Sequence, residues 1–110
     1  MKHYVIDGLR YQDYQAVKAY LDAHLESSGV KGLYWLELKE ALLTDLQKAH
    51  TECRPMFFAV VLSPDHLSCE LLIRTRHKMQ CDCMAYATEA QRNWLIGWAD
   101  GIFDELGLYA

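Results

Sequence analysis

The run Met56-Phe-Phe-Ala-Val-Val-Leu62 constrains this chain more than any other segment. Its β-branched and aromatic side chains favour an extended strand, and the lack of apolar-polar alternation implies that both faces of that strand are covered. At seven residues it is too short to cross a bilayer as a helix. Ser63-Pro64-Asp65 follows, which is turn chemistry. Leu67 to Thr75 then alternates, and after Arg76-His77-Lys78-Met79 a third short strand is expected over Cys81 to Tyr86. Residues 56–86 therefore read as an antiparallel meander, whose register decides which polar side chains are neighbours.

Around it, His3 to Ile6 reads as a short edge strand. Asp13 is positioned as the N-cap of a helix running to about Glu26, with Tyr14, Val17, Leu21, His24 and Leu25 on its inward stripe. Ser27-Ser28-Gly29 is the expected stop, with Gly29 suited to a left-handed position. Leu33 to Leu38 reads as a strand carrying Tyr34 and Trp35. A second helix has two readings, Lys39–His50 or a shorter Thr44–His50 begun by a Thr44/Gln47 capping box. The last helix has Thr88 and Gln91 as its capping box and Gly107 as its stop. Its stripe, including Trp94 and Trp98, reads as core. The order β-α-β-α-β-β-β-α gives an α+β fold, a mostly antiparallel sheet of four to five strands with helices packed on it, in one domain spanning residues 1–110. Ala90, Gly97 and Gly101 share one side of the last helix. That placement points to close approach by another helix or by a second copy, a homodimer.

Composition narrows the function classes. The chain is 52% hydrophobic with two prolines and six glycines, and shows no internal repeat. Asp7 and Arg10 interrupt the start before any signal-like apolar stretch forms, so four cysteines are expected as reduced thiols in the cytoplasm. A net charge of −4 argues against nucleic acid as a partner for the whole surface, and no segment points to a membrane. Phosphate-binding glycine loops, a nucleophile elbow and a His-Glu-x-x-His pair are all missing from the sequence.

If Leu62 and Leu67 flank the first turn, Met56 falls opposite residue 73 or 74, and Arg54 approaches Arg76. Arg54, Arg74, Arg76 and Lys78 then form a basic sheet edge. Paired guanidiniums suit carboxylate or phosphate, so the first reading is a non-enzymatic binding module for an anionic ligand or an acidic protein. The plainer account of the same charges is an edge that discourages sheet-to-sheet pairing. The second reading is a zinc site drawn from His50, Cys53, His77, Cys81 and Cys83, all at one sheet end. The same register leaves Cys53 and Cys81 roughly 10 Å apart, so Cys53 must leave the sheet to share an ion. Cys69 falls far from this group. The plainer account of the thiols is small core residues. The third reading is an enzyme pairing Cys81 or Cys53 with His77 or His50.

Overall fold

The computed structural model describes residues 2–75 and 83–108. Its elements are β1 (His3–Ile6), α1 (Tyr11–His24), β2 (Glu26–Ser27), β3 (Leu33–Glu37), α2 (Asp45–Ala49), β4 (Met56–Ser63), β5 (His66–Glu70), β6 (Arg74–Thr75) and α3 (Glu89–Leu106). Short 3-10 turns cover Glu40–Leu42 and Thr51–Cys53. The sheet runs β1-β5-β4-β3-β2, with β6 also paired to β4, and every pairing is antiparallel. The α+β class and the antiparallel sheet are those expected from the chain; the two-residue β2, where the first helix was expected to stop, is an addition to the expected order.

β4 is the central strand because its apolar residues can be buried on both sides. Met56, Phe58, Val60 and Leu62 meet Tyr34, Leu36, Leu67 and Cys69 in one layer. Val17 and Leu21 of α1 and Leu95, Ala99 and Ile102 of α3 complete that core. On the opposite face Phe57 and Ala59 are buried, and the Trp35 ring lies 6.0 Å from that of Phe57. That cover ends at Val61, which is 40% exposed. Gly32 has φ +81°, and a Cβ there would meet the Leu62 carbonyl oxygen at 2.8 Å, so only glycine fits where β3 begins against β4.

The first turn places Leu62 opposite Leu67, as the chain implies. Further on the register shifts. Between the Val60–Cys69 and Phe57–Arg74 pairs, β4 has two residues while the opposing chain has four. This bulge puts Met56 opposite Thr75, not residue 73 or 74. Leu71 and Ile73 instead bond to the segment before α3, through Ala87 N–H to the Leu71 carbonyl (2.8 Å) and Ile73 N–H to the Ala85 carbonyl (2.9 Å). The strand expected over Cys81 to Tyr86 is, among the described residues, a single bridge between Leu72 and Tyr86, with Cys83 in a turn. Arg74–Thr75 resumes the pairing with β4 beyond the bulge, along the same edge as β5.

Helix ends differ from expectation for local reasons. Asp13 is the third helical residue rather than the N-cap. Its carboxylate accepts from the Arg10 N–H (3.0 Å) and from the Arg10 guanidinium, so it completes a capping box from inside the helix. His24 is exposed, with its ring 4.2 Å from that of Tyr20, and not inward. α1 ends at His24, and Gly29 (φ +87°) serves the turn between β2 and β3 instead of the helix stop. α2 takes the shorter reading, begun by the Thr44/Gln47 box. α3 has its Thr88/Gln91 box and a left-handed Gly107 where the chain placed them.

Candidate metal centre

Two of the three donors come from a single turn. After α2 the chain makes a 3-10 turn over Thr51–Cys53, capped by His50, whose N–H still bonds to the Leu46 carbonyl. Cys53 N–H donates to the His50 carbonyl at 3.0 Å. With three residues per turn, positions i and i+3 eclipse, so His50 and Cys53 project to the same side. Cys53 thus lies outside the sheet, the condition the strand spacing set for a shared ion. The third donor, Cys83, arrives on the turn that precedes α3.

A ring nitrogen of His50 and the Sγ atoms of Cys53 and Cys83 lie within 4.8 Å of one another. Tetrahedral zinc, with bonds of about 2.0–2.3 Å, sets its donors roughly 3.3–3.8 Å apart. Closing onto an ion therefore takes side-chain movements of about 1 Å or less. Cys53 and Cys83 are fully buried, and His50 is half-buried. Two thiolates and a neutral imidazole balance a divalent ion, which allows the charge to sit in such a site.

The backbone under each thiol is fixed by a buried side chain. The Thr75 hydroxyl donates to the Cys53 carbonyl at 2.6 Å. Gln47 Nε2 donates to the Cys83 carbonyl at 3.3 Å, and Gln47 Oε1 accepts both from Gln91 Nε2 (3.0 Å) and from the Thr44 N–H (3.0 Å). Gln91 Nε2 also donates to the Leu42 carbonyl at 2.7 Å, while Gln91 Oε1 caps α3 through the Thr88 N–H. The two capping boxes are thereby joined, and α2, α3 and the Cys83 turn share one buried amide network. Thr75, Gln47 and Gln91 were missed as site residues. A Thr-x-x-Gln pattern signals a helix start, yet nothing in it shows that the amide has hydrogen-bonding capacity left over.

Of the remaining site residues expected from the chain, His77, Cys81, Arg76 and Lys78 lie outside the described residues. Arg54 is 3.4 Å from Glu40, and Arg74 Nε donates to Glu70 at 2.6 Å, so both described arginines of the basic edge already face carboxylates. Cys69 stands apart between Tyr4 and Val60, and burial pushes its thiol up to about 12.

Nothing matches this chain among protein-family models, characterised proteins or solved structures. No helix of the described residues is long and apolar enough to cross a membrane.

Proposed function

We propose that this protein is a small zinc-binding module in which the ion staples the corner before β4 to the turn before α3. The observation that carries this reading is the convergence of His50, Cys53 and Cys83 donor atoms within 4.8 Å. The donors come from segments 30 residues apart in sequence, Cys53 and Cys83, so local chain geometry does not by itself bring them together. Thiolate and imidazole donors select zinc over hard cations such as magnesium or calcium. Cys81, two residues from Cys83, is the natural fourth donor, with His77 the alternative. With a fourth protein donor the site would have no open position, which is the structural and not the catalytic arrangement. The burial of both thiols supports the same view, since a nucleophile needs substrate access. The carboxylate partners of Arg54 and Arg74 leave less of the basic edge for an anionic ligand, which ranks that reading second.

Elemental analysis of protein purified without chelators should find about one zinc per chain. Cobalt(II) exchanged into the site should show thiolate charge-transfer and tetrahedral d–d bands. His50→Ala changes a half-buried side chain and should lose the ion with the fold kept. Protein that holds well under one equivalent, even after zinc is added back, overturns the proposal.

A further inference from the structure

The small-residue side of α3 brings no second helix close, since a Cβ built at Gly97 or Gly101 meets nothing within 4 Å. Towards β1 the same helix makes a polar contact, the Tyr4 hydroxyl donating to the Asp100 carboxylate at 2.6 Å. An open groove of about 490 Å³ lies between the two elements. One wall is the strand from Tyr4 to Asp7, and the other is Asp100, Phe103 and Asp104 of α3 with Leu108 beyond it.

β1 is an edge strand, paired only with β5. The Leu71 N–H donates to the Lys2 carbonyl at 3.0 Å, so Tyr4–Cys69 and Ile6–Leu67 are the hydrogen-bonded pairs of the ladder. His3 and Val5 fall between them, and their N–H and C=O groups point away from β5. No described residue pairs with these groups. Edges are commonly blunted by lysine, proline or a bulge, and β1 has none of these between His3 and Ile6. A bare main-chain edge beside a helix-walled groove suits strand addition, in which main-chain bonds give affinity and alternate side chains give specificity.

The lining selects those side chains. Tyr4 and Ile6 face the helices with their cross-strand partners Cys69 and Leu67, while Val5 faces the other side and is 48% exposed. An added strand alternates in the same way. Its residues on the helix side pass Phe103 and Leu108 and end at Asp100 and Asp104. These carboxylates stand one helical turn apart, a rise of about 6 Å, and alternate strand residues repeat at about 6.8 Å. Two successive inward side chains therefore match them. Neither carboxylate forms an ion pair with a described residue, and no lysine, arginine or histidine lines the groove among the described residues. Long basic side chains fit, with apolar stems on Phe103 and Leu108 and charged heads at the carboxylates. The residue between them lies beside Val5, where a β-branched side chain packs well.

We propose that β1 and α3 form a docking groove for an extended basic peptide, which joins the sheet as a strand with arginine or lysine at alternate positions around a β-branched residue. The groove and the metal centre share no residue, so either can fail without the other.

Isotope-labelled protein is titrated with the blocked peptide Val-Arg-Val-Arg-Val while the amide resonances of His3 and Val5 are followed by NMR. Saturable shifts of both, in the micromolar to low millimolar range, are expected. The same peptide with glutamate for arginine should bind at least tenfold more weakly, and so should one N-methylated at its central valine. Asp104→Lys, an exposed substitution, should weaken binding at least tenfold with an unchanged circular dichroism spectrum. Val5→Pro removes an outward N–H without touching the β5 ladder and carries the same expectation. Shifts that fail to saturate, or equal binding of the glutamate or N-methylated peptide, overturn the proposal. Peptide-free shifts at His3 and Val5 that grow with protein concentration also overturn it, because a second copy then occupies the edge.

Discussion

Tyr34 donates its phenol proton to the Asp22 carboxylate at 2.6 Å, from a ring that is buried beside α1. Burial and this bond push the phenol up to about 12. The unfolded chain ionises nearer 10, so it sheds the proton first. The stabilisation is therefore complete below pH 10 and is lost as pH rises from about 10 to about 12. Tyr4, bonded to Asp100 at 2.6 Å, is also raised to about 12 and adds to the same alkaline window. Tyr34→Phe should cost about 0.5–1.5 kcal/mol at neutral pH, because Asp22 keeps Lys18 as a partner. Urea denaturation measured at neutral pH and again near pH 11 should show the difference between wild type and variant shrinking. At this scale the thiols were the hardest residues to read. Burial alone makes a cysteine look like core. Cys69 is that case, while Cys53 and Cys83 are equally buried and yet converge on His50. Only the fold separates the two situations.

The helices meet through glutamines. Gln47 and Gln91 each accept from the N-cap backbone N–H of their own capping box; Gln91 then donates to Gln47 Oε1 and the Leu42 carbonyl, while Gln47 donates to the Cys83 carbonyl. Gln91→Leu removes a cap and leaves the Leu42 carbonyl and Gln47 Oε1 without that donor, so it should cost about 2–4 kcal/mol. In a double-mutant cycle with Gln47→Leu, the coupling should exceed about 0.5 kcal/mol, and strict additivity in denaturation would show that the amides act separately. Both capping boxes could be read from sequence, as could the start and stop of α3. The inward face of α2 could not. Leu46 is 47% exposed while Gln47 is buried, because the amide's bonds to α3 and to Cys83 outweigh the apolar preference of a five-residue helix. The start of α1 was displaced for a similar reason. An aspartate that caps from the third position looks, in sequence, like one that caps from the first.

For the molecule as a whole, the proposed ion would link segments that the sheet does not pair directly. Binding to the native state alone stabilises it by about 2.7 kcal/mol when free metal stands at a hundred times the dissociation constant. For a chain of this size that corresponds to about 10 °C or more in Tm. Adding a strong chelator to zinc-loaded protein should lower the midpoint by that amount, and His50→Ala should lose the response. An identical midpoint with and without chelator would separate the fold from the metal. The strand content and helix order were legible because β4 and α3 are long and strongly patterned. The register past Glu70 was not, since strict antiparallel counting assumes equal chain on both sides. The extra length opposite β4 breaks that assumption and carries Leu71–Ile73 over to the segment leading into α3.

That surplus is an even number. Ile73 and Thr75 keep facing inward and Arg74 outward, as they would in an unbroken strand. Adding or deleting one residue between Glu70 and Arg74 would exchange the sides. A guanidinium would then sit under the Cys53 carbonyl, and the hydroxyl that holds it would turn to solvent. Length at this corner can therefore drift only in steps of two, and any divergent copy of this chain should carry insertions or deletions here in pairs.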